Sequence, residues 1–306
     1  MQKPARDHHY LPQTYLAGFT DTQAKSGRFF VLDRIENRTF RAKPRQVAFE
    51  KDFHRVDIPG KPVDIVEQAL AQVDGKFANA LRSLRIAEGF PNEENRNILM
   101  NLLALVFVKN PSTRRSINKF QERLRRMHAT MLLSDKDLFE ASVERARKAG
   151  SRIPEDFSYE NAKRFDSEKL DITFSSQSNL AIEIESLDAV LEALDKRTWS
   201  LFIAPQTGPE FVSSDRPVTV WHRNPKYSGP IGLGLLNTEI FFPLSRTHGL
   251  FGIFENSFPP TVHVNAQCVA EMNARVVSKS ERQVYSARAS FIVYRDGALK
   301  EVFCSV

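Results

Sequence analysis

Trp199-Ser200-Leu201-Phe202-Ile203-Ala204 is where the sequence changes period. Before it, apolar residues recur every three or four positions; from it onward they fall in short runs of aromatic and β-branched residues bounded by Gly and Pro. Phe211-Val212-Ser213, Val218-Thr219-Val220-Trp221, Thr238-Glu239-Ile240-Phe241-Phe242 and Leu250-Phe251-Gly252-Ile253-Phe254 continue the pattern and predict an antiparallel sheet. Asn265 to Arg282 reads as one helix. Ser290 to Tyr294 and Leu299 to Cys304 then form a terminal hairpin around Asp296-Gly297, a pair suited to a tight turn.

Upstream of the switch the pattern is helical. Val66, Leu70, Val73, Phe77, Leu81 and Leu84 form one apolar stripe. Pro91-Asn92-Glu93-Glu94 is a helix start with acidic groups at the positive end of the macrodipole, and Ile98 to Val108 is apolar nearly all round, as expected at the centre of a helical layer. After Asn110-Pro111-Ser112 a further helix carries Ile117, Phe120, Leu124, Met127 and Met131 on one face, with a strongly basic outer face. Residues 134–170 continue the helical pattern with breaks at Gly150-Ser151 and Pro154, and Ile182 to Leu194 gives another helix.

The N-terminal part is again β-like. Residues 28–34 and 38–42 predict a hairpin around Glu36-Asn37, and Val47 to Val56 reads as a short helix leading into a strand. The order β, α, β predicts an α+β fold in which the N- and C-terminal thirds build an antiparallel sheet and the helical middle third packs on it or projects from it. Residues 1–306 are read as a single domain, with 63–198 a helical subdomain within it.

Composition narrows the class. With 42% hydrophobic and 26% charged residues, the chain has the balance of a soluble globular protein with a packed core. The 23 Phe, against 6 Tyr and 2 Trp, point to aromatic packing in that core. Cys268 and Cys304 are too few for a disulfide framework or a cysteine-rich zinc site, and no apolar leader precedes the first elements, so a cytoplasmic location is expected. The longest apolar stretch, broken by Asn101, covers about half of the ~20 residues a bilayer needs, so neither a transmembrane segment nor a membrane partner is expected.

The polar signature lies at the N-terminus: His8-His9-Tyr10-Leu11-Pro12-Gln13-Thr14-Tyr15-Leu16-Ala17-Gly18-Phe19. Each imidazole carries a donor and an acceptor that need partners when buried. With this stretch in hand, the chain resembles the bacterial and phage family catalogued as domain of unknown function 4238. The likeness includes Phe29-Phe30-Val31-Leu32-Asp33-Arg34, Glu50-Lys51-Asp52-Phe53, Phe211-Val212-Ser213-Ser214-Asp215-Arg216-Pro217-Val218, Phe242-Pro243-Leu244-Ser245 and the helix of Asn265. Family members often have Tyr where this chain has His54, and Asn where it has Arg216. The resemblance implies a shared α+β fold and a shared site, and it supplies no catalytic residues.

Three roles are open to the histidines. His8 and His9 with Asp215, joined by His248 or His263, have the right chemistry to ligate zinc, manganese or iron, although adjacent residues of a strand point to opposite faces. Alternatively, one ring is a general acid or base and the other its anchor, with Asp215 orienting the reactive ring. In the third role the segment is a structural latch in which Tyr10, Tyr15 and Phe19 pack onto the body and Asp215 caps a turn. Tyr10, Tyr15 and Arg216 are further candidate binding residues beside these groups.

Other chemistries find little support. The chain has no Gly-x-Ser-x-Gly elbow and no Gly-x-x-x-x-Gly-Lys-Ser/Thr loop, Gly232-Leu233-Gly234 lacks the third dinucleotide glycine, and Cys268 reads as an inert helical thiol. Asp166-Ser167-Glu168-Lys169 reads as a solvated charge run. The basic stretch is the second candidate feature. Between Lys109 and Arg126 stand seven basic residues against Glu122, an excess equal to the net charge of the whole chain, +6. Arg115, Lys119, Arg123 and Arg126 on one helical face are candidate contacts to RNA or DNA phosphates. Two functions follow: a nuclease-like hydrolase of nucleic acids or nucleotides using His8 or His9 with Asp215, metal-dependent or histidine-based, or a non-catalytic nucleic-acid- or protein-binding module with a histidine latch.

Overall fold

The computed structural model describes residues 6–86, 92–164, 172–255 and 258–304. Five short elements come first: β1 (Asp7–His9), α1 (Gln13–Ala17), β2 (Phe29–Asp33), β3 (Arg38–Ala42) and β4 (Phe49–Lys51). The helices α2 (Ile65–Ile86), α3 (Glu93–Val108), α4 (Pro111–Leu133), α5 (Lys136–Lys148), α6 (Tyr159–Lys163) and α7 (Ser176–Asp195) follow. The chain then forms β5 (Thr198–Ile203), β6 (Ser213–Ser214), β7 (Thr219–His222), β8 (Thr238–Pro243), β9 (His248–Ile253) and β10 (Thr261–His263). It closes with α8 (Ala266–Lys279), β11 (Gln283–Ser286), β12 (Ser290–Arg295) and β13 (Ala298–Phe303). The fold is α+β with a helical middle third, and among the described residues no helix is long and apolar enough to cross a membrane.

Two compact units divide the chain: residues up to Thr113 together with those from Ser176 onward, and Arg114–Ser175. The helical span 63–198 is therefore shared between them, since α2, α3 and α7 belong with the sheets.

In the first unit the terminal thirds meet in one four-stranded antiparallel sheet ordered β3-β2-β11-β6. The hairpin of β2 and β3 turns at Asn37, which holds a positive φ of 45°. A five-stranded sheet, β10-β5-β9-β8-β7, is built from the C-terminal third alone, and its β10-β5 pair is parallel. Hydrophobic period does not report strand direction, so that pairing is absent from the sequence reading. A turn of 3-10 helix at Pro44–Gln46 and β4 replace the short helix expected near Val47, and the Phe211 run contributes only the two residues of β6. The terminal hairpin of β12 and β13 forms as expected, with Asp296 and Gly297 both at positive φ.

Both faces of the five-stranded sheet are buried, which explains why its strands read as nearly continuous apolar runs. Leu201, Ile240, Phe242 and Leu250 pack in one core with α1, α2 and α3, whereas Phe202, Phe241 and Phe251 pack in a second with α8. Much of the Phe excess fills these two layers. Their fit is tight: a Cβ at Gly249 on β9 would lie 2.5 Å from the Phe241 ring. Gly249→Ala is therefore expected to cost about 1–3 kcal/mol through overpacking, measured by denaturant unfolding.

In the second unit Phe139 is buried against Phe157 and Tyr159, at ring-centroid distances of 5.6 Å each. Phe139 and Phe157, with Ala129, Leu132 and Leu133 of α4, border one apolar cavity. The stripe expected to face inward behaves differently, with Phe120, Leu124, Met127 and Met131 all exposed. A helix can offer two apolar arcs, and the fold of this unit uses the one near its C-terminal end.

Candidate functional site

Strand β1 pairs antiparallel with β4, placing His8 opposite Glu50 and His9 opposite Phe49. Alternation along the strand separates the two rings. His8 is buried, and its Nδ1 accepts the backbone N–H of His54 at 2.8 Å. A neutral ring whose Nδ1 accepts carries its proton on Nε2. The His8 and His54 rings stack at 5.8 Å with an interplanar angle of 6°. His54 Nδ1 in turn lies 2.6 Å from Glu67 Oε1 in the first turn of α2. Burial pushes the Glu67 carboxyl up, but the His54 hydrogen bond and the charges of His54 and Lys109 hold it below its ordinary value, so Glu67 is ionised. His8 thus pins the N-terminal strand to the turn after β4, and His54 pins that turn to α2.

His9 points elsewhere. It lines a cleft of about 180 Å³ with Gln13, Glu67, Asp74 and Lys109. A hydrogen bond to the Arg45 backbone occupies one side of the ring, and Nε2 is buried with no hydrogen-bond partner. Burial lowers the His9 pKa, Lys109 adds to that lowering, and Glu67, Asp7 and the Arg45 bond oppose it. The result is a neutral imidazole beside a polar cleft, its bare Nε2 enclosed rather than open to solvent. Lys109, buried at the C-cap of α3, donates from Nζ to the His9 carbonyl at 3.4 Å. Asp74 anchors the far side, bonded to Thr14 and to Lys25 at 2.8 Å. Leu70, Leu105 and Lys109 also line an apolar groove of about 340 Å³ formed by α2, α3 and α7.

Asp215 is not brought to these rings as a ligand or orienting group. Its carboxylate accepts the backbone N–H groups of Glu281, Arg282 and Gln283 at 2.6–3.0 Å, and its own carbonyl accepts from Asn110 Nδ2. Burial raises its pKa and the three N–H bonds oppose the rise. Its place in the site is taken by Glu67. Arg216, next to it, donates its backbone N–H to Ser214 Oγ. Tyr15 is likewise a core residue: it is fully buried, its hydroxyl pairs with Ser213 Oγ at 2.8 Å, and its ring stacks on Phe242. Tyr10 packs edge-on against Phe53 and hydrogen-bonds Tyr285, and burial pushes its phenol up. His248 Nδ1 lies 2.9 Å from Thr247 Oγ1, and His263 is exposed on β10.

On α4, Arg115, Lys119 and Arg123 are exposed and Arg126 pairs with Glu122 at 2.8 Å. Burial pushes the Cys268 thiol up to about 11, which keeps it protonated. Asp166, Ser167, Glu168 and Lys169 lie outside the described residues.

One trio offers metal-binding atom types. His8, His54 and Glu67 bring a ligand atom each within 4.8 Å of one another. The hydrogen bonds speak for attachment instead. The lone pair of His8 Nδ1 is directed at the His54 amide, and ligation through Nε2 would require the opposite tautomer.

A family model for proteins of unknown function, DUF4238, matches residues 7–290 of the sequence. The chain belongs to the DUF4238 family of proteins of unknown function. No curated protein and no solved structure matches it. Both histidines stand out in the sequence of this DUF4238 chain; of the groups around them, His54 stands there only as a departure from the family's Tyr, Lys109 only as the first of the basic stretch, and Glu67 carries no signal of its own. His54 was hidden in an aromatic cluster, and Glu67 sits beside the apolar stripe of α2. Lys109 was visible as a cation immediately after the all-apolar run Ile98 to Val108, a position where a helix carries its charge at the edge of the core.

Proposed function

We propose that this DUF4238 protein is a histidine-based phosphoester hydrolase acting on nucleotides or nucleic acid, with His9 as general base. One observation carries the reading: His9, whose Nε2 is buried and unpartnered, lines a cleft shared with Lys109 and Glu67. A lone pair held away from other donors can accept the proton of an attacking water. That oxygen adds to phosphorus, the ester P–O bond breaks, and the leaving oxygen takes a proton from solvent. Lys109 supplies positive charge beside the phosphoryl oxygens. Its position between the polar cleft and the apolar groove suits a ligand with a phosphate at one end and a base at the other. His8 is the anchor, in accordance with the division of labour between an anchoring and a reactive ring. The reading does not depend on α4.

The test is hydrolysis of RNA, single-stranded DNA and nucleoside phosphates by the full chain in EDTA, followed across pH. His9 must be neutral to act as a base, and its pKa is lowered. Activity is therefore retained as pH falls through the ordinary imidazole value of about 6.5 and is lost only below it. No hydrolysis of any of these substrates, or an acid limb centred above that value, contradicts the proposal.

A further inference from the structure

The groove of α2, α3 and α7 carries information about the base end of the ligand. It adjoins the His9 cleft, because Leu70, Leu105 and Lys109 line both. Its walls are aliphatic, with Val66 and Val73 from α2, Val108 from the end of α3, and Leu180, Ile184 and Leu187 from α7. Among the described residues that line it stand no hydroxyl, no amide side chain and no Phe, Tyr or Trp ring; the polar side chains are His54, Lys109 and Glu183. Lys109 serves the phosphate end, His54 is bonded to Glu67 at 2.6 Å, and the buried Glu183 has an interaction of its own.

Walls of this kind touch the faces of a flat heterocycle and offer nothing to its edge. Each donor or acceptor of an entering base leaves water without gaining a partner, a cost that grows with the number of polar groups on that edge. We infer, on the basis of the nucleotide reading proposed above, that the groove holds the base by apolar contact alone and leaves its edge unread. Bases then rank by apolarity, with unsubstituted purine at least equal to adenine and adenine ahead of guanine. A site that hydrogen-bonds a group of its ligand strongly rejects the analogue lacking it, whereas an apolar wall does not. In a nucleic acid the same walls select no sequence beyond this ranking.

The probes are purine riboside 5′-monophosphate, adenosine and guanosine 5′-monophosphates, ribose 5-phosphate and n-octyl phosphate, each titrated calorimetrically into the full chain in EDTA. The purine riboside compound is expected to bind at least as tightly as the adenosine one, guanosine monophosphate more weakly, and ribose 5-phosphate about tenfold or more weakly than adenosine monophosphate. Val73→Ser with Ile184→Ser, at groove positions 38% and 64% exposed, should remove most of the advantage that the base confers. The melting temperature and the affinity for ribose 5-phosphate should stay unchanged. Weaker binding of the purine riboside compound by about tenfold would show that the edge is read. Equal binding of ribose 5-phosphate and adenosine monophosphate would place the base outside the groove, and tighter binding of n-octyl phosphate than of either purine nucleotide would make the occupant an aliphatic chain. Each of these results, a base advantage intact in the double variant, or no binding of any probe overturns the inference. The expected ranking without hydrolysis of any substrate would overturn the hydrolase reading alone, and hydrolysis without the ranking would overturn the unread base alone.

Discussion

His9→Ala lowers the hydrolysis rate by about 10²–10⁴-fold, the usual contribution of a positioned general base, while costing less than about 1 kcal/mol of stability. The asymmetry follows from the geometry: His9 is only partly buried, its ring gives up one bond to the Arg45 backbone, and its Nε2 has no hydrogen bond to lose. His8→Ala is expected to do the reverse. Its ring is buried, and removing it leaves the His54 amide without its acceptor, at a cost of about 1–3 kcal/mol before any cavity is counted. Rate measurements on both variants, with urea unfolding of each, separate the reactive ring from the anchor. If His9→Ala retains full activity, the base is elsewhere.

Asp215→Ala is expected to be the most destabilising of the polar substitutions. The carboxylate satisfies three backbone N–H groups where the chain passes from α8 into β11, and β11 is the strand that joins β2 to β6 in the four-stranded sheet. Its loss leaves three donors without their acceptor in a partly buried turn, with a penalty of about 3–5 kcal/mol. Asp215→Asn should cost less, since the amide oxygen can still accept. Equilibrium unfolding of both variants checks this. A near-normal unfolding midpoint for Asp215→Ala would show that the turn holds without its cap and would reopen a chemical role for the residue.

The elements with a strong local period were legible. The α2 stripe, the all-apolar α3 and the hairpins turning at Asn37 and at Asp296-Gly297 follow from side-chain spacing and turn chemistry. Assembly was less so. The parallel β10-β5 pair joins residues about sixty positions apart, and β1 finds β4 across some forty; such partners are chosen by packing of the whole unit. The α4 stripe was visible as a stripe, but amphipathicity alone does not say whether the apolar arc meets the chain's own core.

The site shows the same split. Two adjacent histidines advertised themselves, yet only the strand register of β1 decides that His8 turns inward to the His54 amide while His9 faces the cleft. The charged groups around them, Glu67 and Lys109, come from α2 and the C-cap of α3, and His54 links His8 to Glu67. Asp215 looked equally chemical in a Ser-Ser-Asp-Arg-Pro turn. It is committed to backbone amides, because a short carboxylate at a turn is well placed to accept several of them.

Nitrogen-15 NMR of the imidazoles across pH tests the central assignment most directly. His9 should appear as the Nδ1–H tautomer, with a bare Nε2, titrating below about 6.5 and shifting when inorganic phosphate or a nucleoside monophosphate is added. A His9 ring protonated on Nε2, or titrating above that value and indifferent to phosphate, would contradict the assignment of His9 as the base.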